Sequence, residues 1–409
     1  MRSCLSLSLL VASVVLAHPL HAPATVVIEP SRLVQAKLKV KYKNKTYLTQ
    51  LKSLKREADS WLSQGPWTVV DKPNPPPNGT IHDYLSQAPY WWPTQPKTED
   101  NPFGCPYEQR DGQRNPDVDT ATDRPDIGAV AYSVPALSLA WYYTGDAKYS
   151  RHAAKILRTF FLDEETKMNP NLRHGQVIPC QNDGRAIGII DFSQMYTSVL
   201  DAVAILNIGA PGWTKNDKDN MLAWNKEFLD WLVTSDFGHT EGAAKNNHAT
   251  FHNMQVAALA LFAGDKKLAK EVVTNSTKLI DTQIAANGSQ PLELARTRTW
   301  HYHVFDLVAY TRLANIGKRV GVDLWAYEGP DGQSIKKAIE YIVPAAAGEE
   351  EWPHPELEFF RYAASDLVHA GADAGIKTAK AAINSLQAPP KGDMWYLRPA
   401  AEQLDSIAG

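Results

Sequence analysis

Apolar residues recur at helical spacing along most of the chain from Asp126 onwards. A first helix is predicted over residues 136–143, and Gly145 follows it in the position where many helices end. Asp146 can then cap a second helix over residues 148–161, because aspartate accepts hydrogen bonds from the N–H groups of a first turn. Two helices joined by a short turn are therefore expected here.

The same order of signals returns further along the chain. Residues 256–262 are apolar, Gly264 ends the predicted helix, and Asp265 caps another helix over residues 266–279. We find no run of segments with the alternating pattern of β-strands. Repeated units of helix, short turn and helix build bundles or α/α toroids, so the pattern predicts an all-α fold.

A third predicted pair of helices covers residues 193–206 and 218–233, on either side of the Gly-Ala-Pro-Gly turn at residues 209–212. No Gly/Ser linker or run of charge divides the chain. Large helical toroids reach this length undivided, so we predict a single domain over residues 23–409.

The first 22 residues have the layout of a cleavable signal peptide. Arg2 gives a positive start, residues 5–16 are apolar, and the small residues Ala17 and Ala22 follow. The apolar run is too short to span a bilayer, and no later segment has enough uninterrupted apolar residues to do so. We therefore expect a secreted protein with a signal peptide at residues 1–22.

The sequons and cysteines are also typical of a secreted protein. Four acceptor sequons for N-glycosylation begin at Asn44, Asn78, Asn275 and Asn287. Cys4 lies within the signal peptide, whereas Cys105 and Cys180 remain in the mature chain and are expected to pair in an oxidising compartment. The alternative is two separate buried thiols.

The charge of the chain restricts its possible partners. Forty-two basic residues against 45 acidic ones give a formal net charge of −3, and no large basic patch is visible, so nucleic acid is not an expected partner. An acidic polysaccharide would need a local cleft of positive groups. We expect a monomer that binds neither nucleic acid nor membranes.

The stretch over residues 74–124 is rich in Pro, Asn, Asp and aromatic residues and lacks a sustained helical pattern. Long irregular segments in a compact domain are usually functional; the alternative is an exposed arm held by Cys105. Tyr90, Trp91 and Trp92 stand between two prolines, so they cannot all face one buried side of a regular element. Exposed rings are common platforms for sugars, whereas packing against the helices is the alternative.

Residues 245–252 come directly before the apolar run of a predicted helix. Asn246, Asn247 and His248 would therefore lie at a helix N-terminus, where side-chain donors and the helix dipole favour a bound anion. Simple capping of the helix by Asn246 or Asn247 is the alternative, and it is compatible with a functional role.

A metal site is a further alternative at the same place, because His248 and His252 are four residues apart and share a helix face. The zinc metalloprotease signature needs Glu after its first His, and Ala249 stands there instead. No third ligand is evident. We expect no metal and no other cofactor.

A third cluster, residues 293–303, holds two Arg, two His and a Tyr. Arg296 and Arg298 could pair with Glu293 at the surface, but apolar residues follow directly, so the element is expected to face the interior. Unpaired charges are costly there, and such cations more often face a cleft. Eight residues are predicted to bind substrate: Tyr90, Trp91, Trp92, Arg185, Asn246, Arg298, His301 and His303.

Taken together, these residue types fit β-elimination at a uronate. The step removes the proton from C5, beside the C6 carboxylate, and expels the oxygen at C4. Hydrogen-bond donors or a cation must neutralise that carboxylate, and Asn247, His248 and Arg296 are groups of this kind. Tyr302 can take the proton and supply one to the leaving oxygen.

Several segments resemble the alginate lyase-like proteins of polysaccharide lyase families 5 and 38. They are residues 83–93, 110–112 with 115–116, 168–172, 188–191, 245–248, 292–302 and 322–325. The resemblance implies an incomplete α/α toroid with a substrate cleft along its top. It implies that Asn247, His248 and Arg296 handle the carboxylate and that Tyr302 is acid and base, with His248 as base for substrates of the opposite geometry. Ala249 departs from the Gly expected after the His.

The substrate and two rival functions stay open at this point. Mannuronate and glucuronate differ only at C2, which does not react, so the same tyrosine serves either polymer. A glycoside hydrolase would need two carboxylates facing one bond, for which Asp191 and Glu293 are the candidates. A non-catalytic polysaccharide-binding protein would use the aromatic residues at 90–92.

Overall fold

The computed structural model describes residues 22–405 and is mainly helical. Its α-helices are α1 (Pro30–Lys41), α2 (Lys45–Trp61), α3 (Asp123–Thr144), α4 (Ala147–Leu157), α5 (Ile190–Ser193), α6 (Tyr196–Leu206), α7 (Lys215–Thr234), α8 (Asp236–Gly242), α9 (Asn247–Ala263), α10 (Lys266–Asn275), α11 (Thr277–Gln283), α12 (Pro291–Leu294), α13 (Thr299–Val320), α14 (Ile335–Ala347), α15 (Ser365–Asp373) and α16 (Lys377–Ala382). Four short strands are β1 (Leu85–Gln87), β2 (Trp91–Pro93), β3 (Tyr107–Gln109) and β4 (His174–Val177).

Helices α3, α6, α9, α13 and α15 are buried over most of their surface. Each of them packs against the next one in this order, while α4, α10 and α14 pack against α3, α9 and α15 respectively. A helix that is apolar on nearly every side belongs inside, and an amphipathic helix such as α4 or α10 covers it. The result is an α/α toroid of helical hairpins, as the sequence predicts.

The predicted helix ends are confirmed at two hairpins. Gly145 has φ of +75° and ends α3, and Gly264 has φ of +88° and ends α9. This left-handed conformation favours glycine, since it has no Cβ to clash. Asp146 and Asp265 follow, and each carboxylate accepts a hydrogen bond from a backbone N–H in the first turn of the next helix.

Several predicted boundaries are wrong. The helix expected over residues 136–143 begins much earlier, at Asp123. The helix expected over residues 218–233 starts earlier, because Thr214 and Asp217 form a reciprocal capping box at the start of α7. The helix expected over residues 266–279 is divided into α10 and α11 at the buried Ser276, whose hydroxyl donates to a backbone carbonyl in the preceding turn. Apolar periodicity alone contains neither signal.

The predicted signal peptide, residues 1–22, lies outside the described residues except for Ala22. In the described part, no single helix is long and apolar enough to cross a membrane. The bent pair Ala186–Ser193 and Tyr196–Leu206 meets the test of length and composition only when taken together. Most of α5 and α6 is buried within the fold.

Asp201 on α6 holds the N-terminal segment against the helical core. Its carboxylate accepts hydrogen bonds from the backbone N–H groups of Val26, Val27 and Ile28, at 2.5, 3.1 and 2.8 Å. Burial raises the pKa of Asp201 to about 6, although these bonds oppose the change. The buried acid therefore pairs the backbone donors of a segment whose side chains, Val26, Val27 and Ile28, are also buried in the core.

This raised pKa makes folding stability depend on pH. Because the folded state binds a proton that the unfolded state has released, the contribution is complete below the ordinary carboxyl pKa and is lost as pH rises through about 6. We expect the free energy of unfolding to fall between about pH 4 and about pH 7 by on the order of 2 kcal/mol from this group. In Asp201→Asn, denaturant titrations should show a shallower pH dependence. Asp230→Asn, an exposed change on α7, is the control, and an unchanged slope in Asp201→Asn would contradict the assignment.

Candidate active site

A cleft of about 510 Å³ opens where α9 and α13 begin. Its volume is within the range of about 300–1,000 Å³ that is usual for ligand sites. Eight residues singled out in the sequence line it: Tyr90, Trp91, Arg185, Asn247, His248, Arg296, His301 and Tyr302. The cleft therefore brings together segments that are more than 200 residues apart in the chain.

Two short sheets form the walls beside the helix starts. Strand β1 pairs with β4 in parallel, and β2 pairs with β3 in an antiparallel hairpin. The disulfide Cys105–Cys180 joins the hairpin to the loop after β4, which confirms the predicted pairing. The irregular stretch over residues 74–124 thus supplies a wall of the cleft and is not a free arm.

The start of α9 is held by a buried acid. Glu293 accepts hydrogen bonds from the backbone N–H of Asn247 at 2.9 Å and from its Nδ2 at 2.8 Å. Burial raises the pKa of nearby Asp306 far above its usual range, and the charge of Glu293 raises it further. Burial also raises the pKa of Glu293, whereas its two hydrogen bonds from Asn247 lower it. These two bonds fix the amide of Asn247 in one orientation.

His248 is oriented in the same way. Its Nδ1 lies 2.7 Å from Oε1 of Glu241, which is buried at the end of α8. This contact leaves Nε2 of the imidazole for the cleft, into which the residue faces. A carboxylate on one ring nitrogen commonly sets the orientation and tautomer of a functional histidine.

His248 and His252 do not converge on a common ligand site. His252 is buried beside Gly242, and burial lowers the pKa of its imidazole. Across residues 22–405, no group of three or more His, Cys, Asp or Glu residues is arranged to hold a metal ion. A reaction without metal remains a prediction.

Tyr302 lies in the first turn of α13, and two side chains contact its hydroxyl group. Nη2 of Arg296 donates to it at 2.8 Å, and the guanidinium carbon lies 3.8 Å from the centre of the tyrosine ring. The hydroxyl of Tyr90 lies 2.8 Å from the same oxygen. Burial raises the pKa of Tyr302 well above its usual range, whereas the charge of Arg296 lowers it.

Arg296 is not an isolated cation. Its Nη2 and Nε donate to the two carboxylate oxygens of Asp111 at 2.6 and 3.2 Å. The paired geometry fixes the plane of the guanidinium, and it leaves Nη2 shared between Asp111 and the hydroxyl of Tyr302. The sequence suggested Glu293 as the acid beside this arginine, but Glu293 binds Asn247 instead.

Comparison with known proteins identifies the group to which the chain is related. The alginate lyase family model matches residues 68–352, which is more than half of the sequence. The chain belongs to the alginate lyase family. No curated protein matches it by sequence.

Two solved structures of alginate lyases are similar to this chain. A crystal structure of an alginate lyase from Bacteroides ovatus is 32% identical, has a TM-score of 0.85, and aligns over 92% of this chain and 99% of its own. An apo-form variant of alginate lyase A1-III is 14% identical with a TM-score of 0.51, over 88% of this chain and 91% of its own. The second likeness shows the fold alone. Family and fold together establish a polysaccharide lyase.

The two carboxylates that a hydrolase would need do not line the cleft of this lyase. Asp191 is fully buried and accepts hydrogen bonds from Tyr84 and Ser86. Glu293 is also buried and is engaged by Asn247. Neither can reach a glycosidic bond, so the hydrolase alternative is wrong for this pair.

Two predicted substrate-binding residues beside the cleft point elsewhere. The indole Nε1 of Trp92 donates to the carbonyl of Gln113 at 2.9 Å. Asn246 precedes α9, but its side chain makes no capping hydrogen bond, and its carbonyl accepts from Gln283. Neither lines the cleft, so the structure does not support a substrate contact for them.

Two predicted residues of the lyase at the start of α13 also lie outside the cleft. Arg298 precedes the helix and lies 3.7 Å from a carboxylate oxygen of Glu356. His303 is fully buried against Tyr341, with ring centroids 5.3 Å apart, and burial lowers the pKa of its imidazole to about 3. A neutral, enclosed histidine cannot contact a polysaccharide, so its assignment to substrate binding is corrected.

Several cleft groups of the lyase were not singled out from the sequence as site residues. Asp111 lies within a segment that resembles the family, but Arg124, Glu241, Gln403 and Asp405 carry no sequence signal of this kind. Arg124 and Gln403 line the cleft. Asp405 accepts a 2.7 Å hydrogen bond from Nδ1 of His301, so the C-terminal segment reaches the site.

The structure of the lyase also places Ala249 and the four sequons. Ala249 is fully buried on α9 and does not line the cleft, so the departure from Gly does not narrow it. The sequon asparagines Asn44, Asn78, Asn275 and Asn287 are all exposed. Glycosylation at them remains a prediction.

The support of Asn247 by Glu293 can be tested directly. Glu293→Gln keeps the shape of the side chain but replaces one acceptor by a donor, so the amide of Asn247 should lose its fixed orientation. Because a small misplacement at a reacting centre can reduce the rate about 100-fold, we expect kcat to fall about 10- to 100-fold. The measurement is the rate of unsaturated uronate formation, with circular dichroism as a check of folding. Glu227→Gln, an exposed change on α7, is the control, and equal rates in the two variants would refute the role of Glu293.

Proposed function

We propose that this lyase cleaves a β-1,4-linked polyuronate of mannuronate or glucuronate by β-elimination, with Tyr302 as acid and base. The observation that carries the proposal is the guanidinium of Arg296, which lies 2.8 Å from the hydroxyl of Tyr302 inside the cleft. A phenolate is needed to take the C5 proton, and a cation at this distance favours it. Phenolate formation in a buried site would otherwise be unfavourable.

The roles of the neighbouring groups follow from their contacts. Asn247 and His248 lie at the N-terminus of α9, where the helix dipole adds to their donors, so they neutralise the C6 carboxylate of the reacting uronate. Arg296 is already paired with Asp111, so we assign it chiefly to Tyr302. This assignment refines the role in carboxylate binding that the sequence suggested.

Proton transfer then needs only one residue. The phenolate of Tyr302 takes the proton from C5, the C4–O bond breaks, and the resulting phenol returns a proton to the leaving oxygen. Both groups lie on the same face of a mannuronate or glucuronate ring, so the tyrosine does not have to move between faces. The hydroxyl of Tyr90, at 2.8 Å, can donate to the phenolate. The relative from Bacteroides ovatus, which is described as an alginate lyase, supports a mannuronate-containing polymer.

We also propose that the enzyme is secreted. The signal-peptide pattern at residues 1–22, the four exposed sequon asparagines and the disulfide support this location. An acidic extracellular polysaccharide would be available to it there.

The proposed reaction is tested by ultraviolet absorbance with polymannuronate, polyguluronate and glucuronan as separate substrates. Elimination gives a conjugated unsaturated uronate, so absorbance should rise with polymannuronate or glucuronan. Tyr302→Phe should lower kcat by at least about 100-fold while the polymer still binds, because only the proton-transfer group is removed. Tyr42→Phe changes a tyrosine that is 75% exposed and serves as the control. New reducing ends without absorbance, or near-normal turnover in Tyr302→Phe, would overturn the proposal.

The pH profile tests the role of Arg296. Because the pKa of Tyr302 is raised, activity should increase as pH rises and the phenolate forms. Arg296→Ala removes the cation that favours the phenolate, so the ascending limb of kcat/KM should move to higher pH and activity near neutral pH should fall at least about 10-fold. A profile that keeps its position while only KM increases would instead assign Arg296 to substrate binding.

A further inference from the structure

Most of the positive or potentially positive groups that line the cleft have an acidic partner. The pairs are Arg124 with Asp191, His248 with Glu241, Arg296 with Asp111, and His301 with Asp405. Arg185 lines the same cleft, and within residues 22–405 its guanidinium has neither an ion pair nor a side-chain hydrogen bond. The charges of Asp191 and Glu241 raise the pKa of Arg185. Both carboxylates already bind other residues, Asp191 to Arg124 and Glu241 to His248.

The surroundings of Arg185 make an uncompensated charge unfavourable. The side chain is partly buried, and burial lowers the pKa of the guanidinium. Its guanidinium carbon lies 5.9 Å from the centroid of the Trp91 ring. A desolvated cation without an anion costs free energy, so this position is suited to an anion that arrives with a ligand.

We propose that Arg185 and Trp91 form a second carboxylate subsite, which holds the uronate ring next to the one that reacts. This inference rests on the proposed function and specifies how the same cleft selects a polyanion. Arg185 belongs to the loop after β4, whereas Asn247, His248 and Tyr302 belong to α9 and α13. Every ring of a polyuronate carries a carboxylate, so a chain bound at the helix starts presents its next carboxylate to a different wall.

The two residues have complementary tasks in this subsite. The guanidinium of Arg185 can bind a carboxylate through two parallel N–H donors. The indole of Trp91 offers a flat face to the sugar ring, and its nearness keeps the guanidinium in the cleft. A neutral polysaccharide would leave this arginine without its anion. The subsite therefore favours an acidic chain over a neutral one.

The test compares Arg185→Ala with Arg110→Ala. Arg110 also lies over a tryptophan, Trp92, at 5.2 Å, but it pairs with Glu108 and does not line the cleft. On the polyuronate that the enzyme cleaves, we expect Arg185→Ala to raise KM about 10-fold with kcat changed less than about 2-fold, because one charge-assisted contact away from the reacting ring is lost. KM should also become less sensitive to salt. Arg110→Ala should behave as the unchanged enzyme.

Substrate length supplies a second readout. The kcat/KM of the unchanged enzyme should increase when an oligouronate becomes long enough to occupy the neighbouring subsite, and Arg185→Ala should lack that increase. An equal KM for the two arginine variants would overturn the proposal. A fall in kcat with KM unchanged would also overturn it, since Arg185 would then act on the reacting ring.

Binding measurements separate this proposal from the proposed function. Calorimetry on the Tyr302→Phe protein, with and without Arg185→Ala, gives the Kd of an oligouronate when no turnover occurs. If the unchanged enzyme makes no unsaturated product but Arg185→Ala still weakens binding about 10-fold, the elimination reaction is wrong and the subsite stands. A Kd that does not depend on Arg185 refutes the subsite, whatever the reaction.

Discussion

The contact between Phe251 and Phe305 sets the geometry on which the site depends. Their ring centroids are 4.2 Å apart, one turn below Asn247 on α9 and one turn below Tyr302 on α13. Helix α10 returns the chain after α9, so both inner helices begin at the same end of the toroid. Two helix N-termini, each a positive dipole end, therefore meet at one cleft. Side-chain carboxylates already accept from the first N–H groups of both helices, Glu293 at α9 and Glu356 at α13. The substrate therefore depends on the side chains that these helix starts carry into the cleft.

Buried acids then give the polar side chains their orientation. Glu293, Glu241 and Asp405 each bind one residue that faces the cleft. Burying these charges is unfavourable in isolation, and it is tolerated where a donor accompanies each of them. The arrangement also reduces the net positive charge of the cleft. Attraction for a polyanion is consequently concentrated at a few positions and is not spread over a basic surface, which agrees with a chain whose net charge is −3.

Much of the fold could be predicted from sequence because its signals are local. Glycine and aspartate at the ends of α3 and α9 predicted the two helical hairpins. The apolar runs that follow Asn247, His248 and Tyr302 predicted that these residues lie at helix N-termini. His303 was misassigned because neighbouring residues on a helix differ by about 100° in direction, so His303 points away from the cleft that His301 and Tyr302 line. The supporting acids could not be found in this way. Asp405 is 104 residues from its histidine, and only the packing of the C-terminal segment joins them.

The disulfide has a consequence for the thermodynamics of binding. Cys105 lies in the hairpin connection that follows Trp91, and Cys180 lies between β4 and the loop that carries Arg185. The two walls are thus tied to each other by a covalent bond near the cleft. Walls restrained in this way have less conformational entropy to lose when a flexible polysaccharide is ordered between them. The crosslink therefore preorganises the cleft, so that most of the ordering on binding falls on the sugar chain.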